Sequence, residues 1–175
     1  VVTAPTCGAS GVLPSLLYFL RDIRKYSDER IIDGLATAGI IGNIVKHNAS
    51  ISGAEAGCQA EVGTACAMAA AAYSELENGS IETIEYAAEI ALEHHLGLTC
   101  DPILGYVQIP CIERNAVAAV RAMNAGELAT LLMNTRLISF DTVVETMKET
   151  GKDLLESYKE TSIGGLAKFY QKKVS

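Results

Sequence analysis

The sequence predicts an all-α fold, a single-domain helical bundle with a central Ala-rich buried helix and a cysteine-bearing loop. Apolar residues recur at three- and four-residue spacing in several segments, which is the period of an amphipathic helix. Small residues dominate positions 59–77, with four consecutive alanines at 69–72. No segment keeps the strict alternation that is typical of a half-buried strand. With 175 residues, 49% of them hydrophobic, the chain can bury one core, so residues 1–175 are predicted to form one domain.

The first two predicted helices lie before residue 48. Residues 12–26 carry five large apolar residues at helical spacing, and Pro14 is tolerated in a first turn. Asp28 can cap a second helix. Because this second helix is apolar on most sides after Asp33, we expect it to be buried centrally.

A polar segment and an alanine-rich helix form the middle of the chain. Residues 47–57 are rich in Asn, Ser and Gly, which predicts a turn able to bind a small polar ligand or simply to cap itself. Residues 59–77 predict a core helix, because Ala has the highest helix propensity. Cys58 would then lie at a helix N-terminus, where the dipole favours a thiolate. Cys66, amid alanines, is predicted to be a small packing residue.

Three further helices and one long loop are predicted after residue 80. Ser80 can cap a helix that runs to His95. Residues 94–115 hold two prolines and two glycines, which predicts a loop. A helix over 115–133 follows, and Ser139 can cap the next one. The apolar residues predicted to face the core are Val117, Val120 and Leu128 in the former and Val143, Val144, Met147 and Leu154 in the latter. The sequence leaves the order of residues 160–175 open.

Charge and composition exclude some classes of function. A net charge of −7 and a pI near 5.0 argue against general nucleic-acid binding, which needs clustered Lys and Arg. Residues 1–20 are uncharged, but they have no basic segment and are interrupted by Pro5, Gly8, Gly11 and Pro14. They therefore resemble neither a signal peptide nor a membrane anchor. We expect a cytoplasmic protein that contacts neither nucleic acid nor membrane.

Five cysteines, an odd number, favour free thiols, catalytic thiols or metal ligands over a disulfide framework in a reducing compartment. Cys100 and Cys111 share the predicted loop, and Cys58 could join them. Their wide spacing matches neither a zinc ribbon nor a ferredoxin, in which cysteines stand about two or three residues apart. Metal ligation is the favoured interpretation, although each cysteine taken singly could also be a buried packing residue.

Several segments together carry a specific resemblance. They are SISGAEAGCQAEVG at 50–63, LGLTCDP at 96–102, IPCIERNA at 109–116, TAPTCGASG at 3–11 and GGLA at 164–167. Across nearly the whole chain, these segments resemble the catalytic α domain of the iron-sulfur L-serine dehydratases. In that family the α region begins well before the residues that match Val1, so we expect the chain to be a fragment of a longer polypeptide.

The resemblance implies a cofactor and a substrate site. Cys58, Cys100 and Cys111 would hold three irons of a 4Fe-4S cluster, and the fourth iron would stay open to act as a Lewis acid on the substrate hydroxyl. A loop containing Asn48, Ser50, Ser52 and Gly53 would lie beside the cluster and help to hold the carboxylate and amine of L-serine. Thr6, Gly8 and Ser10 would form a second wall of this substrate site.

Two features of the family pattern are missing or unassigned here. Single-chain members end shortly after the GGLA segment with a tail cysteine that caps the fourth iron, whereas residues 168–175 contain none. No general base is evident, so the catalytic residues are unknown. His94 and His95 are predicted to cap a helix and His47 is a weak candidate. In the family, part of the active site lies on a β domain or β chain, where the base could be.

The sequence therefore predicts the α portion of an L-serine dehydratase, which converts L-serine to aminoacrylate and then to pyruvate and ammonia. Expected partners are L-serine, a β domain or β chain of the same enzyme and further copies in a homo-oligomer. Whether the fragment alone is active is left open. The alternative is a non-catalytic helical subunit whose cysteines bind zinc or pack.

Overall fold

Eight α-helices make up the part of the chain that the computed structural model describes, residues 2–174. In order they are α1 Leu13–Asp22, α2 Asp28–Asn48, α3 Gly53–Ala56, α4 Cys58–Leu76, α5 Ile81–Glu93, α6 Cys111–Leu132, α7 Phe140–Asp153 and α8 Gly165–Val174. Short 3-10 turns occur at Ile103–Gly105, Met133–Thr135 and Glu156–Tyr158. Within residues 2–174 the only β pairing is one isolated bridge between Cys100 and Lys159. The predicted all-α fold is confirmed.

The helix at the centre of the bundle is α4. All its residues are buried except Glu61 and Glu75, and it packs against α1, α2, α5, α6 and α7. Its alanines have no side chain beyond Cβ, so neighbouring backbones can approach closely while the interior stays dense. The prediction of a central Ala-rich buried helix is confirmed.

Helices α4 and α6 run parallel. The Sγ atom of Cys66 lies 3.2 Å from the carbonyl oxygen of Ala118, and about two turns further along both helices Gly126 packs against the ring of Tyr73. Contacts that advance in the same direction along both helices require a parallel arrangement. The N-termini of α4 and α6 therefore lie at the same end of the bundle.

Three serines cap helices as N-cap residues. The hydroxyls of Ser27, Ser80 and Ser139 accept hydrogen bonds from backbone amides in the first turns of α2, α5 and α7. The predictions for Ser80 and Ser139 are confirmed. The prediction for Asp28 is wrong by one position, because Asp28 is the first helical residue, where its charge still favours the helix dipole.

The central burial predicted for α2 is also wrong. Only one face of α2 meets α4, and Ile32, Leu35 and Ile40 on its other faces are exposed. The buried face combines Ile41 and Val45 with small residues, two of them glycines: a Cβ on Gly34 would lie 2.7 Å from Leu76, and one on Gly42 would lie 2.9 Å from Met68. The glycines thus allow α2 to approach α4 closely on this face.

The predicted core-facing residues of α6 are also wrong, because small residues face the core there. Val117, Val120 and Leu128 were predicted to face the core, but all three are exposed. The core-facing stripe consists of Ala118, Ala122, Ala125 and Ala129, each fully buried. In α7 the prediction is confirmed for Val143, Val144 and Met147, which are buried, while Leu154 is half-buried and follows the last helical residue.

Among the described residues, one stretch, Cys111–Thr135, is long and apolar enough to cross a membrane by length and composition. Core helices of soluble proteins meet the same criterion, so this is weak evidence. The alanine stripe of α6 packs against α4 and α5 within the bundle.

The segment whose order the sequence left open contains the last helix. Residues 165–174 form α8, which packs against the 3-10 turn at Ile103–Gly105. Ser175 lies outside the described residues.

Two glycine-to-alanine substitutions should have opposite effects on stability. In Gly126→Ala the new Cβ would lie 2.5 Å from the Tyr73 ring, so we expect a loss of about 1–3 kcal/mol in the free energy of unfolding despite better helix propensity. In Gly39→Ala on α2 the Cβ would meet nothing within 4 Å, so we expect a gain of about 0.5–1 kcal/mol. Urea denaturation measures both, and equal effects would contradict the packing described.

A buried carboxyl should make stability depend on pH. Glu89 is 1% exposed, its Oε2 atom has no hydrogen-bond partner, and burial raises its pKa to about 7. Because the unfolded carboxyl ionises near its ordinary value of 4.5, the folded state loses stability as pH rises from there to about 7. Glu89→Gln should therefore stabilise the fold by about 1–3 kcal/mol at pH 8 and by much less at pH 4.5. Glu145→Gln, on exposed α7 surface, is the control and should show no such pH difference.

Candidate metal centre

Two of the predicted ligands begin helices. Cys58 is the first residue of α4, after Gly57, whose φ of +78° favours glycine. Cys111 is the first residue of α6, after Pro110. The prediction that the loop extends to residue 115 is wrong, because a proline can precede the first turn of a helix without losing a needed hydrogen bond. Both thiols thus lie at the positive ends of helix dipoles, where a thiolate is favoured.

The third cysteine, Cys100, is fixed by backbone bonds to a distant segment. Its amide donates to the carbonyl of Tyr158 at 2.8 Å, and its carbonyl accepts from the amide of Glu160 at 2.7 Å. Its side chain is buried. This short bridge holds the loop that carries Cys100 against the segment that leads to α8.

A buried ion pair connects the same loop to α6. Arg114 donates from Nη1 to the carbonyl of Thr99 at 2.6 Å and from Nη2 to Oδ1 of Asp101 at 3.0 Å. The other oxygen of Asp101 accepts from the amide of Leu166 at 2.7 Å. A Cβ on Gly165 would lie 2.2 Å from that oxygen, so only glycine fits at the start of α8.

Two sulfurs and one carboxylate form a compact donor set. The Sγ atoms of Cys58 and Cys100 and one carboxylate oxygen of Glu61 all lie within 4.8 Å of one another. The hydroxyl of Thr6 donates to Oε1 of Glu61. A Cβ on Gly53 would lie 3.1 Å from the Cys100 sulfur, so a glycine is needed for this close packing. Such a mixed sulfur and oxygen set could hold a metal ion.

Cys111 stands at the edge of this donor set. It is not one of the three groups that meet within 4.8 Å. Its pKa is raised by burial and then by the charge of Cys58, while Arg114 opposes the rise. Cys111 also lines an open groove of about 380 Å³ with Cys7, Gly8 and Ser10. The structure thus brings together two of the three predicted ligands and places the third beside the groove.

The two converging thiols differ in acidity. The pKa of Cys58 is lowered, first by a hydrogen bond from the Cys100 thiol and then by the charge of Arg114, which together outweigh burial. The same hydrogen bond and burial raise the pKa of Cys100. Of the two thiols, Cys58 is therefore the more acidic and Cys100 the less acidic.

The predicted substrate loop lies only partly at the donor set. Gly53 packs against Cys100 and Glu61. Asn48 is the exposed last residue of α2, and the hydroxyl of Ser50 donates to Glu55 and accepts from the amide of Ser52 at 3.1 Å. Ser52 precedes α3, and its hydroxyl makes no capping bond. The roles of Asn48, Ser50 and Ser52 toward a substrate stay predictions.

Parts of the predicted second wall do reach the donor set. Thr6 bonds to Glu61, and a Cβ on Gly8 would lie 2.6 Å from the same carboxylate. Ser10 lines the groove, and its hydroxyl donates to the carbonyl of Cys7 at 2.8 Å.

The histidines lie away from the donor set. Nδ1 of His94 is 2.8 Å from the carbonyl of Ile90, and Nδ1 of His95 is 2.7 Å from that of Ala91. Each ring therefore caps a carbonyl at the end of α5, as predicted. His47 is exposed on the last turn of α2.

The packing role predicted for Cys66 is confirmed. Its side chain is fully buried, and burial raises its pKa to about 12. Among the residues that reach the donor set, sequence reasoning missed Glu61 and Arg114. Both stand three residues after a predicted ligand, a spacing that returns to the same side of a helix and could have identified them.

An all-α bundle with converging thiols at one end defines a helical protein with a candidate cysteine metal site. Comparison with known proteins then gives the family: the family model described as "Serine dehydratase alpha chain" matches residues 1–167. The chain belongs to the serine dehydratase alpha chain family.

Curated relatives agree with this assignment. The chain is 54% identical to "L-serine dehydratase" of Streptomyces coelicolor and 55% identical to "L-serine dehydratase TdcG" of Escherichia coli, in each case over 168 residues that are 95% of this chain. It is 52% identical to "L-serine dehydratase" of Helicobacter pylori over 170 residues, 96% of this chain. The chain spans 37% of the length of each of these relatives.

Loss of the Arg114 guanidinium should destabilise the fold. Asp101 is 3% exposed, and Arg114→Met would leave the Asp101 carboxylate buried without its cationic partner, a loss that typically costs about 3–5 kcal/mol of unfolding free energy. Arg121→Met, on an exposed position of the same helix, should cost no more than about 0.5 kcal/mol. Urea denaturation compares the two variants, and a similar small loss in both would contradict the role given to the ion pair.

Proposed function

We propose that this chain is the α portion of an enzyme that deaminates L-serine to pyruvate and ammonia. The observation that carries the proposal is the meeting of the Cys58 and Cys100 sulfurs with Glu61 within 4.8 Å. Membership of the serine dehydratase alpha chain family supports it, as do the names of the relatives. Because the chain spans 37% of their length, the activity is proposed for the full-length protein.

We propose that Cys58, Cys100 and Cys111 hold a 4Fe-4S cluster. Thiolates are the ligands such clusters favour, and two of these three sulfurs already converge. When bound, such a cluster would supply a Lewis acid at the iron without a protein thiolate, which assists departure of the substrate hydroxyl. The lowered pKa of Cys58 suits ligand loading, since a cysteine must lose its proton to bind metal.

The other residues of the chain have supporting roles in this proposal. Thr6 orients the Glu61 carboxylate through its hydroxyl. Asn48, Ser50, Ser52 and Gly53 hold the carboxylate and amine of L-serine. We further propose that the general base lies on a β domain or β chain of the same enzyme, as the family resemblance implies. A cytoplasmic location and a homo-oligomeric state remain part of the proposal.

A second candidate is a non-catalytic helical subunit that binds zinc. Two sulfurs and a carboxylate are also ligands that zinc accepts. Metal analysis of full-length protein prepared without oxygen separates the two candidates. Iron with acid-labile sulfide supports the dehydratase, together with pyruvate formation from L-serine. Zinc without sulfide, and no pyruvate, supports the subunit.

Loss of one proposed ligand should prevent cluster assembly. Anaerobic reconstitution of the full-length protein with iron and sulfide should give a brown species with broad visible absorption, and Cys100→Ala should abolish it because one thiolate is lost. Cys66→Ala is the matched control, since Cys66 is buried away from the donor set, and it should keep the colour. An unchanged spectrum in Cys100→Ala would remove Cys100 from the cluster.

A substitution in the predicted substrate loop tests the other part of the site. Ser52→Ala should lower pyruvate formation while iron and sulfide contents stay at the wild-type level, because Ser52 is proposed to contact L-serine and not the metal. Steady-state kinetics and metal analysis on the same preparation measure both. Full activity in this variant would count against the assignment.

A further inference from the structure

One side chain fastens the N-terminal loop, residues 6–11, to the start of α6. The Nδ2 atom of Asn115 donates to the carbonyls of Gly8 at 2.9 Å and Cys111 at 2.8 Å. Its Oδ1 accepts from the amide of Gly11 at 3.0 Å. Asn115 is 8% exposed, so these three bonds are shielded from water. An amide is the side chain that can donate twice and accept once at this position.

Few other hydrogen bonds hold this loop against the bundle. Among residues 2–174, the other hydrogen bond that ties the loop to the body of the bundle runs from the Thr6 hydroxyl to Glu61. The remaining bonds of the loop stay within it or go to its neighbours in the chain, such as that from the Ala4 amide to Thr6 and that from Ser15 to Gly11. Among its hydrogen bonds to the bundle, those of Asn115 and Glu61 therefore place the loop, in addition to the packing of Ala9 in the core.

The loop that Asn115 holds is one wall of the groove beside Cys111. Cys7, Gly8, Ser10 and Gly11 line one side of this space of about 380 Å³. The opposite side comes from α6, with Cys111 and Asn115, and from Val107. Asn115 therefore sets the distance between the two walls at the point where a proposed ligand, Cys111, lines the groove.

We propose that Asn115 is a positioning residue for L-serine, and that the groove between residues 6–11 and α6 is where the amino acid enters and meets the second wall of its site, while its carboxylate and amine are held by the loop that contains Asn48, Ser50, Ser52 and Gly53. This inference rests on the proposed function. Asn115 acts through the loop and touches no reacting atom. Its loss weakens substrate binding because the loop wall is no longer at a fixed distance from α6, while the cysteine ligands stay in place.

The test compares two asparagine-to-aspartate changes on α6 in full-length protein prepared without oxygen. Asn115→Asp removes both donors and places a carboxylate against the carbonyls of Gly8 and Cys111. Asn124→Asp makes the same change at an exposed position of α6 and is the control. Asn115→Ser, which removes both donors without adding charge, is the second variant if the aspartate protein does not fold.

We expect the KM for L-serine to rise about tenfold or more in the Asn115 variants, with kcat at saturation within about twofold of wild type. The visible spectrum and the iron content should be retained. In cluster-free protein, iodoacetamide should modify Cys111 faster than in wild type, because the loop no longer covers it, while Cys66 stays unmodified as an internal control. Asn124→Asp should match wild type in every measurement.

The outcomes distinguish this inference from the proposed function. Active wild-type protein with an unchanged KM in the Asn115 variants overturns the positioning role alone, even if Cys111 becomes more reactive. Equal loss of kcat, spectrum and iron in both Asn115 variants would mean that Asn115 only supports the fold. Wild-type protein that binds iron and sulfide but forms no pyruvate overturns the proposed function, and the inference falls with it.

Discussion

The buried ion pair between Arg114 and Asp101 is the interaction on which the candidate metal centre depends. This ion pair joins the first turn of α6 to the loop that carries Cys100. Asp101 also accepts a hydrogen bond from the Leu166 amide at the start of α8. The same guanidinium lowers the pKa of Cys58. A single charged side chain thus links the segments that carry all three proposed ligands, which are far apart in sequence. Removing only one residue of such a buried ion pair strongly destabilises a fold, because the charge of the other residue stays buried.

Small residues provide the framework within which this ion pair can form. The alanines of α4 and α6 let the two helices run parallel and close, with Cys66 against Ala118 and Gly126 against Tyr73. Because the helices are parallel, their first residues, Cys58 and Cys111, lie at one end of the bundle. Glycines at the same end, such as Gly53, allow the surrounding loops to reach the sulfurs.

Local signals in the sequence were sufficient for much of the fold. Serine caps such as Ser80 and the alanine-rich run of α4 were predicted correctly, because capping and helix propensity act over a few residues. The central burial of α2 and the inward face of α6 were predicted wrongly. In α6, hydrophobicity favours Val117 over Ala118, whereas backbone approach in a small-residue core favours the alanine. That choice depends on the partner helix, which no local pattern contains. Glu61 was missed because a lone carboxylate in a helix usually faces solvent; its spacing from Cys58 places the two on one side of α4, but its approach to Cys100 comes from the tertiary fold.

We propose that Cys58, Cys100 and Cys111 bind one iron-sulfur centre in the full-length protein. Iron X-ray absorption spectroscopy of that protein, purified without oxygen, tests this proposal because it reports the atoms around the metal. We predict a first shell dominated by sulfur, and iron-to-iron scattering at a longer distance. Iron surrounded only by oxygen and nitrogen, or a preparation that contains zinc in place of iron, would rule out this ligand set.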